Sequence, residues 1–321
     1  MQQGLKKNYN KMKNDFYKKF RSEIVPVAQK KDKKREIFLI IAIISFAIFL
    51  MLGSWFLYIF ITKIGGNADG DTIKSFGTII LGCILAPIAI QKWLTNIIEK
   101  EIKEVIMPDV CKCIGDLTWS HKVYENNYIM ALAKLIPNDY NRLNVDDVFM
   151  GHYNDVGIDI VEATYKKYVR SGKHSSETIY FQGVFVVIDM NKKFKCHTII
   201  KPDRLFKFEP SGLKRTTLED VMFEKKYDVF TDDEIEARYL ITTSFMDRLN
   251  EMKTAFKVNK VSCAFYNKQL IVAFENPYDS FGIVSLFTKT DDHRQYFQMF
   301  DEFLSIVKLI DYFKLNEHTG L

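Results

Sequence analysis

The sequence predicts an α+β membrane protein: a two-helix transmembrane hairpin followed by a cytoplasmic domain of mostly antiparallel sheet packed with helices. Three observations lead there. Ile37 to Thr62 contains no charged residue. A second apolar run, Phe76 to Ile90, follows after a short polar turn. The remaining chain mixes strand-like runs with capped, amphipathic helical segments.

The first run, as a helix rising 1.5 Å per residue, is roughly 39 Å long and crosses a hydrocarbon core of about 30 Å with some tilt. Trp55 and Tyr58 lie toward its far end, where amphipathic rings favour the interface. It is too long, and begins too far into the chain, for a signal peptide. The second run extends through Trp93 and Leu94, with Lys92 free to snorkel. Pro87 removes one backbone donor from it and predicts a kink. Between the two, Lys63 to Lys74 holds Gly65, Gly66, Asn67 and Gly70, a polar turn.

Lysine and arginine set the orientation. The first 36 residues hold twelve, the turn only Lys63 and Lys74, and Lys92, Lys100 and Lys103 follow the second run. The positive-inside rule places both termini in the cytoplasm, with the helices in the cell inner membrane. The reading of the cysteines as reduced agrees independently. Lys30, Lys31, Lys33, Lys34 and Arg35 also form a basic collar expected to contact anionic lipids, at about 1 kcal/mol per residue near the surface. The arm lacks regularly spaced aromatics and a recognition fold, so nucleic acid is not an expected partner.

The five cysteines have no framework spacing, which suits a reducing compartment. Cys111 and Cys113 offer two thiols, but no second Cys or His pair follows at ligand spacing, so no metal or cofactor is expected. The 26 Phe and 16 Tyr, against 15 Gly and 7 Pro, exclude a disordered chain, because large aromatics bury enough area to offset chain entropy.

The chain divides into a helical basic arm over 1–36, the hairpin over 37–94 (spans 37–62 and about 76–94), a helical stalk over 95–136 and an α+β domain over 137–321. Thr95 to Lys122 reads as a helix, with Ile98, Ile102, Val105, Ile106, Val110, Ile114 and Leu117 at three- and four-residue steps. Pro108 is expected to bend or restart it. The stripe is read as a packed stalk; a self-association seam needs uninterrupted heptads, and homo-oligomerisation stays open. A short helix is expected over Asn127 to Leu135.

Val156 to Tyr165 and Thr178 to Met190 read as strands. Val184 to Ile188 is too apolar for a one-sided sheet, so both its faces are expected to be covered. Lys195 to Ile200 is expected to pair with it across the turn Asn191-Lys192-Lys193. Thr231 to Glu234 fits a capping box, with Ile235, Tyr239 and Leu240 as the buried stripe of the helix it opens. A second helix carries Phe245, Met246, Leu249 and Met252. Val261 to Tyr266 and Leu270 to Glu275 form a hairpin about Asn267-Lys268-Gln269. A long amphipathic helix, Asp291 to Phe313, ends the pattern, with Phe300, Phe303, Leu304, Val307 and Ile310 inward.

There is no phosphate loop, nucleophile elbow or paired metal histidines. His121, His152, His174, His197, His293 and His318 are scattered. His152, Asp155 and Asp159 are the densest polar group, most simply a loop feeding a strand, and Asp189 ends an apolar strand. Glu236 and Arg238 are two apart on a helix and do not face each other; Arg238 is expected to lay its stem on the core and pair with a carboxylate.

The stretch Tyr227-Asp-Val-Phe-Thr-Asp-Asp-Glu-Ile-Glu-Ala-Arg-Tyr-Leu-Ile-Thr242, followed by Phe245-Met246 and the hairpin after Lys260, resembles the C-terminal signature of an uncharacterised bacterial family. That family is defined as a domain of unknown function, number thirty-one thirty-seven. Phe181-Gln-Gly-Val-Phe, Asp189, Lys193-Phe194, Phe223-Glu224 and the basic arm before two spans also match. The most specific part is Glu236-Ala237-Arg238-Tyr239, and Thr243 stands where the family commonly has Pro. The resemblance implies architecture and bacterial origin and no activity. Glu236, Arg238 and Tyr239 are read as a fold signature or a binding site.

Two functions follow. A cytoplasmic-facing scaffold or binding module with an unknown protein partner predicts an exposed patch or groove. A membrane-tethered enzyme of unrecognised class predicts that His152, Asp155, Asp159, Asp189 or Glu236 converge in one pocket. A channel is disfavoured, because neither apolar run carries a charge to mark an ion path.

Overall fold

The computed structural model describes residues 2–64, 69–172, 174–190, 194–202, 210–283 and 285–317. Gly65, Gly66 and Asn67, the turn 191–193 and His318 lie outside these. The chain forms two compact units, each treated in turn: Met1–Phe16 with Pro108–Phe281 and Tyr296–Leu321, and Tyr17–Met107 with Gly282–Gln295.

The first residues are helical. Helix α1 (Gln2–Lys19) passes through one wider turn, Phe20–Ile24, into α2 (Val25–Ile59). Helix α3 (Gly70–Ile114) begins six residues earlier than the apolar run. Asp69 starts it by accepting the Thr72 amide at 2.9 Å. Neither Pro87 nor Pro108 ends it. Two helices are therefore long and apolar enough to cross a membrane. The side chains of the first over Ile37–Tyr58 are largely exposed.

The helix expected to reach Lys122 stops at Ile114, where the Gly115 amide returns to the Cys111 carbonyl. Asp116–His121 is instead strand β1, paired with β2 (Arg142–Tyr153). Leu117 fits a helical stripe, but Thr118 and Trp119 favour a pleated surface, and the open β2 edge decides between them. Gly151 permits the approach: a Cβ there would overlap the Asp116 carbonyl, and its φ of 153° lies where other residues are strained. The expected helix over Asn127 to Leu135 contracts to one turn, α4 (Ile129–Leu132).

The longest strands are β3 (Val156–Ser171) and β4 (His174–Asp189), followed by β5 (Thr198–Pro202), β6 (Lys214–Thr216), the one-turn helix α5 (Val221–Glu224), β7 (Tyr227–Thr231), β8 (Lys260–Tyr266) and β9 (Gln269–Glu275). Among the described residues the strands form one nine-stranded sheet in the order β1-β2-β3-β4-β9-β8-β5-β7-β6. Asn154 and Asp155, both at positive φ, make the tight β2–β3 turn that a two-residue hairpin demands. All strand pairs are antiparallel. β4 is central, and Val184 to Ile188 is buried on both faces, as its composition predicts. Its partner is β9 and not the Lys195–Ile200 segment; β5 pairs β7 and β8 instead. The hairpin β8–β9 is the better competitor, because it brings seven paired residues in each strand already in register.

One face of the sheet carries Val161, Phe185, Val187, Ile199, Phe230 and Ala273, covered by the α4 segment through Met130, Leu135 and Ile136. The other face is covered by α7 (Thr243–Ala255) and α8 (His293–Glu317). Phe149 meets Phe303 at 4.8 Å between centroids, Phe274 stacks on Phe256 at 4.1 Å, and Phe245 meets Phe265 at 5.3 Å. The expected inward residues of α8, from Phe300 to Ile310, are all buried.

Candidate functional site

Helix α6 (Glu234–Leu240) carries the predicted signature but faces the other way. Its cap is Asp233, whose Oδ1 accepts the Ile235 and Glu236 amides at 2.9 and 3.1 Å. Thr231 instead accepts the Asp233 amide. This two-residue shift rotates the helix, so Ala237 and Ile241 are buried while Ile235 and Tyr239 are 71% and 65% exposed. Arg238 is exposed and makes no ion pair among the described residues, so the expected buried pair is absent. Thr242 caps α7 by accepting the Phe245 amide at 3.2 Å, which supplies the start that the missing Pro left open.

The basic collar is largely occupied within its own unit. Lys31 and Lys34 both pair with Glu101. Arg35 is buried, donating to Asp32 at 2.7 Å and to the Leu286 carbonyl at 2.7 Å. Its guanidinium holds the Asp32 carboxyl below the usual carboxylate range. Lys30 and Lys33 remain exposed.

Of the five residues that an enzyme reading would bring together, two approach. Asp159 and Asp189 stand on neighbouring strands near Gly157. Burial pushes the Asp159 carboxyl up, the Tyr124 hydroxyl donating at 3.0 Å pulls it back, and Asp189 raises it again. Gln269 donates to Asp189 at 2.9 Å. His152 and Asp155 are exposed, and Glu236 lies on α6.

A second acidic group was not foreseen. Asp147, Glu162 and Asp279 bring one carboxylate oxygen each within 4.8 Å of one another. A bulge between Val145 and Val148 in β2 turns Asp147 inward. The Trp119 ring donates to Asp147 Oδ1 at 2.8 Å, and the Ser280 amide to Glu162 Oε1 at 2.8 Å. These bonds tie β1, β2, β3 and the chain after β9 together.

A recess lies between the sheet and the α4 segment, with a volume of about 240 Å³. Met130, Leu135 and Ile136 make one wall, and Phe181, Phe230 and Ala273 the opposite one. Lys201, Asp228, Ser262 and Glu275 add charge and a hydroxyl at the sheet side. Lys201 and Asp228 are direct partners across β5 and β7, so their side chains share a face. Asp228 is 5% exposed. Arg215 Nη2 stands 2.6 Å from its Oδ1 as an ion pair, off the hydrogen-bonding direction, and that oxygen takes no hydrogen bond among the described residues. An apolar chamber with a few convergent polar groups is the general form of a small-molecule site. The signal that could have found it is an acid inside the apolar strand Tyr227-Asp228-Val229-Phe230, which period-two reading passes over as part of a signature.

No protein with a curated description matches the chain. A solved structure similar to it is that of the mycobacterial trehalose monomycolate transport factor A, TtfA, at 9% identity over 63% of this chain and 90% of that one, with a TM-score of 0.36. Residues 179–315, from within β4 into α8, match the model of the family described as Protein of unknown function (DUF3137).

Proposed function

We propose that the chain is a membrane-anchored binding module of a bacterial inner membrane, whose sheet unit faces the cytoplasm and takes up a small amphiphilic molecule. The observation that carries the reading is the recess between sheet and α4, which joins an apolar chamber to the Lys201–Asp228 pair. Its volume of about 240 Å³ falls just below the roughly 300–1,000 Å³ of ligand sites, so the ligand is small, with an apolar body and a charged head. Lys30 and Lys33 are the collar residues left to meet anionic headgroups.

Native mass spectrometry of the full chain, purified in mild detergent, tests the ligand. Wild type is expected to carry a small co-purified mass that Asp228→Asn weakens and Ala273→Leu excludes by filling the chamber. A wild-type mass equal to the bare chain, also after incubation with a cell extract, sinks the reading.

The topology has its own test. A reporter active only outside the cytoplasm is expected to stay silent when fused at Leu321 and to become active when fused near Asn67. Activity at Leu321 would mean that the second helix does not cross.

A further inference from the structure

We infer that the segment Gly282–Gln295 holds Phe287 in the membrane–water interface, as an aromatic anchor against phospholipid. The inference rests on the membrane reading above and adds a lipid contact from a segment far along the chain.

The segment belongs to the same compact unit as the apolar helices and is fastened to them at four points. The Ile283 amide donates to Glu99 Oε1 at 3.2 Å. Arg35 Nη1 donates to the Leu286 carbonyl at 2.7 Å. The Thr290 hydroxyl donates to the Ala28 carbonyl at 2.7 Å, and its amide to Asp32 Oδ1 at 3.1 Å. Gln29 Nε2 donates to Asp291 Oδ2 at 3.0 Å. Ile283, Leu286 and Thr290 are buried by these contacts. Phe287, between them, is 67% exposed. The Ser285 hydroxyl accepts its amide at 3.2 Å, and the Ser285 carbonyl accepts that of Thr288, so a local turn fixes the ring outward.

Its depth follows from Arg35. That residue stands two before Ile37, the first of the uncharged run, which is a rise of roughly 3 Å. Each headgroup layer is about 5–8 Å thick, half the difference between the whole bilayer and its hydrocarbon core. The Leu286 carbonyl, and Phe287 after it, therefore sit at headgroup depth, where an apolar ring gains contact with the acyl boundary. Exposed Lys289 and Lys33 add cations at the level of the phosphates.

The test uses the full chain in host membranes, with photoreactive benzoylphenylalanine in place of Phe287, of Phe46 within the first apolar run, or of Tyr17. Tyr17 lies roughly 30 Å before Ile37 along the helix. Illumination followed by mass spectrometry is expected to show phospholipid adducts at positions 287 and 46, and about tenfold fewer at 17, beyond the headgroups. Adducts at 46 without any at 287 overturn the inference and leave the membrane reading standing. No adducts at 46 or 287 removes the membrane reading and the anchor with it. Equal adducts at 17 and 287 overturn it as well, since depth would then not govern the contact.

Discussion

Glu302→Gln is expected to raise the melting temperature of the protein at pH 8 and to remove most of the fall in stability between pH 5 and pH 8. Glu302 stands on α8 and is 1% exposed. Its Oε1 accepts from Gln298 Nε2 at 3.1 Å, and its Oε2 takes no hydrogen bond among the described residues. Lys257 donates to the other end of the Gln298 amide. Burial pushes the carboxyl from 4.5 up to about 7; the Gln298 bond and the Lys257 charge oppose this, and Asp301 adds to it. The folded state thus binds the proton more tightly than the unfolded chain does. For an acid with a raised folded pKa, stability is highest below the unfolded value and is lost as pH rises toward the folded one. At about 1.4 kcal/mol per unit, the ionised form costs on the order of 3 kcal/mol above pH 7. Glutamine keeps the shape and removes the ionisation. Melts of both proteins in the same detergent at pH 5 and pH 8 decide the matter, and parallel pH dependence in the two would sink it.

What was legible in the sequence was what one-dimensional patterns carry. The uncharged run Ile37–Thr62, the all-apolar Val184–Ile188, the β8–β9 hairpin and the inward stripe of α8 each declare themselves by composition or period. The errors share a cause: a local pattern had two solutions, and a distant partner chose. Leu117 suits a helix or a strand until β2 is there to pair with β1. The Lys195–Ile200 segment suits β4 until β9 arrives with a longer register. Thr231 and Asp233 both suit a cap, and the choice between them turns Tyr239 and Arg238 from core to solvent.

The candidate site was less legible for the same reason. Asp228, Lys201, Ser262 and Glu275 come from four strands, and no spacing joins them. Tertiary neighbours of this kind appear only once the strand order β9-β8-β5-β7 is known. The basic collar illustrates the converse. Its charge was plain, but charge alone does not separate Lys33, which is exposed, from Arg35, which is buried on Asp32 and Leu286.

Phe16→Ala is expected to cost about 3–5 kcal/mol, the usual loss for emptying a buried aromatic position. The first residues read as a basic arm, yet α1 behaves as core. Phe16 is 0% exposed, stacks on Phe300 at 4.3 Å between centroids, and meets Phe297 edge-on at 5.5 Å. Tyr9 donates its hydroxyl to Asp311 Oδ2 at 2.9 Å, beside the Tyr153 hydroxyl at 3.1 Å on the same oxygen. Burial, and then the Asp311 carboxylate, push the Tyr9 phenol up, so this bond persists at any ordinary pH. Lys13 pairs with Asp301 at 2.5 Å, half exposed on both sides, and Lys13→Ala is expected to cost under about 1 kcal/mol. The contrast between the two variants separates packing from charge in the arm. Phe16→Leu should recover part of the loss, because a smaller void remains. A fragment starting at Lys122 includes α8 but neither α1 nor β1, and so leaves Phe300 and the β2 edge uncovered; residues 179–315 lack β2 and β3 as well. Melting curves of the full-length variants provide the measurement. If Phe16→Ala melts with the parent, α1 does not hold α8 in solution, and the arm reverts to the lipid-facing role that its charge suggests.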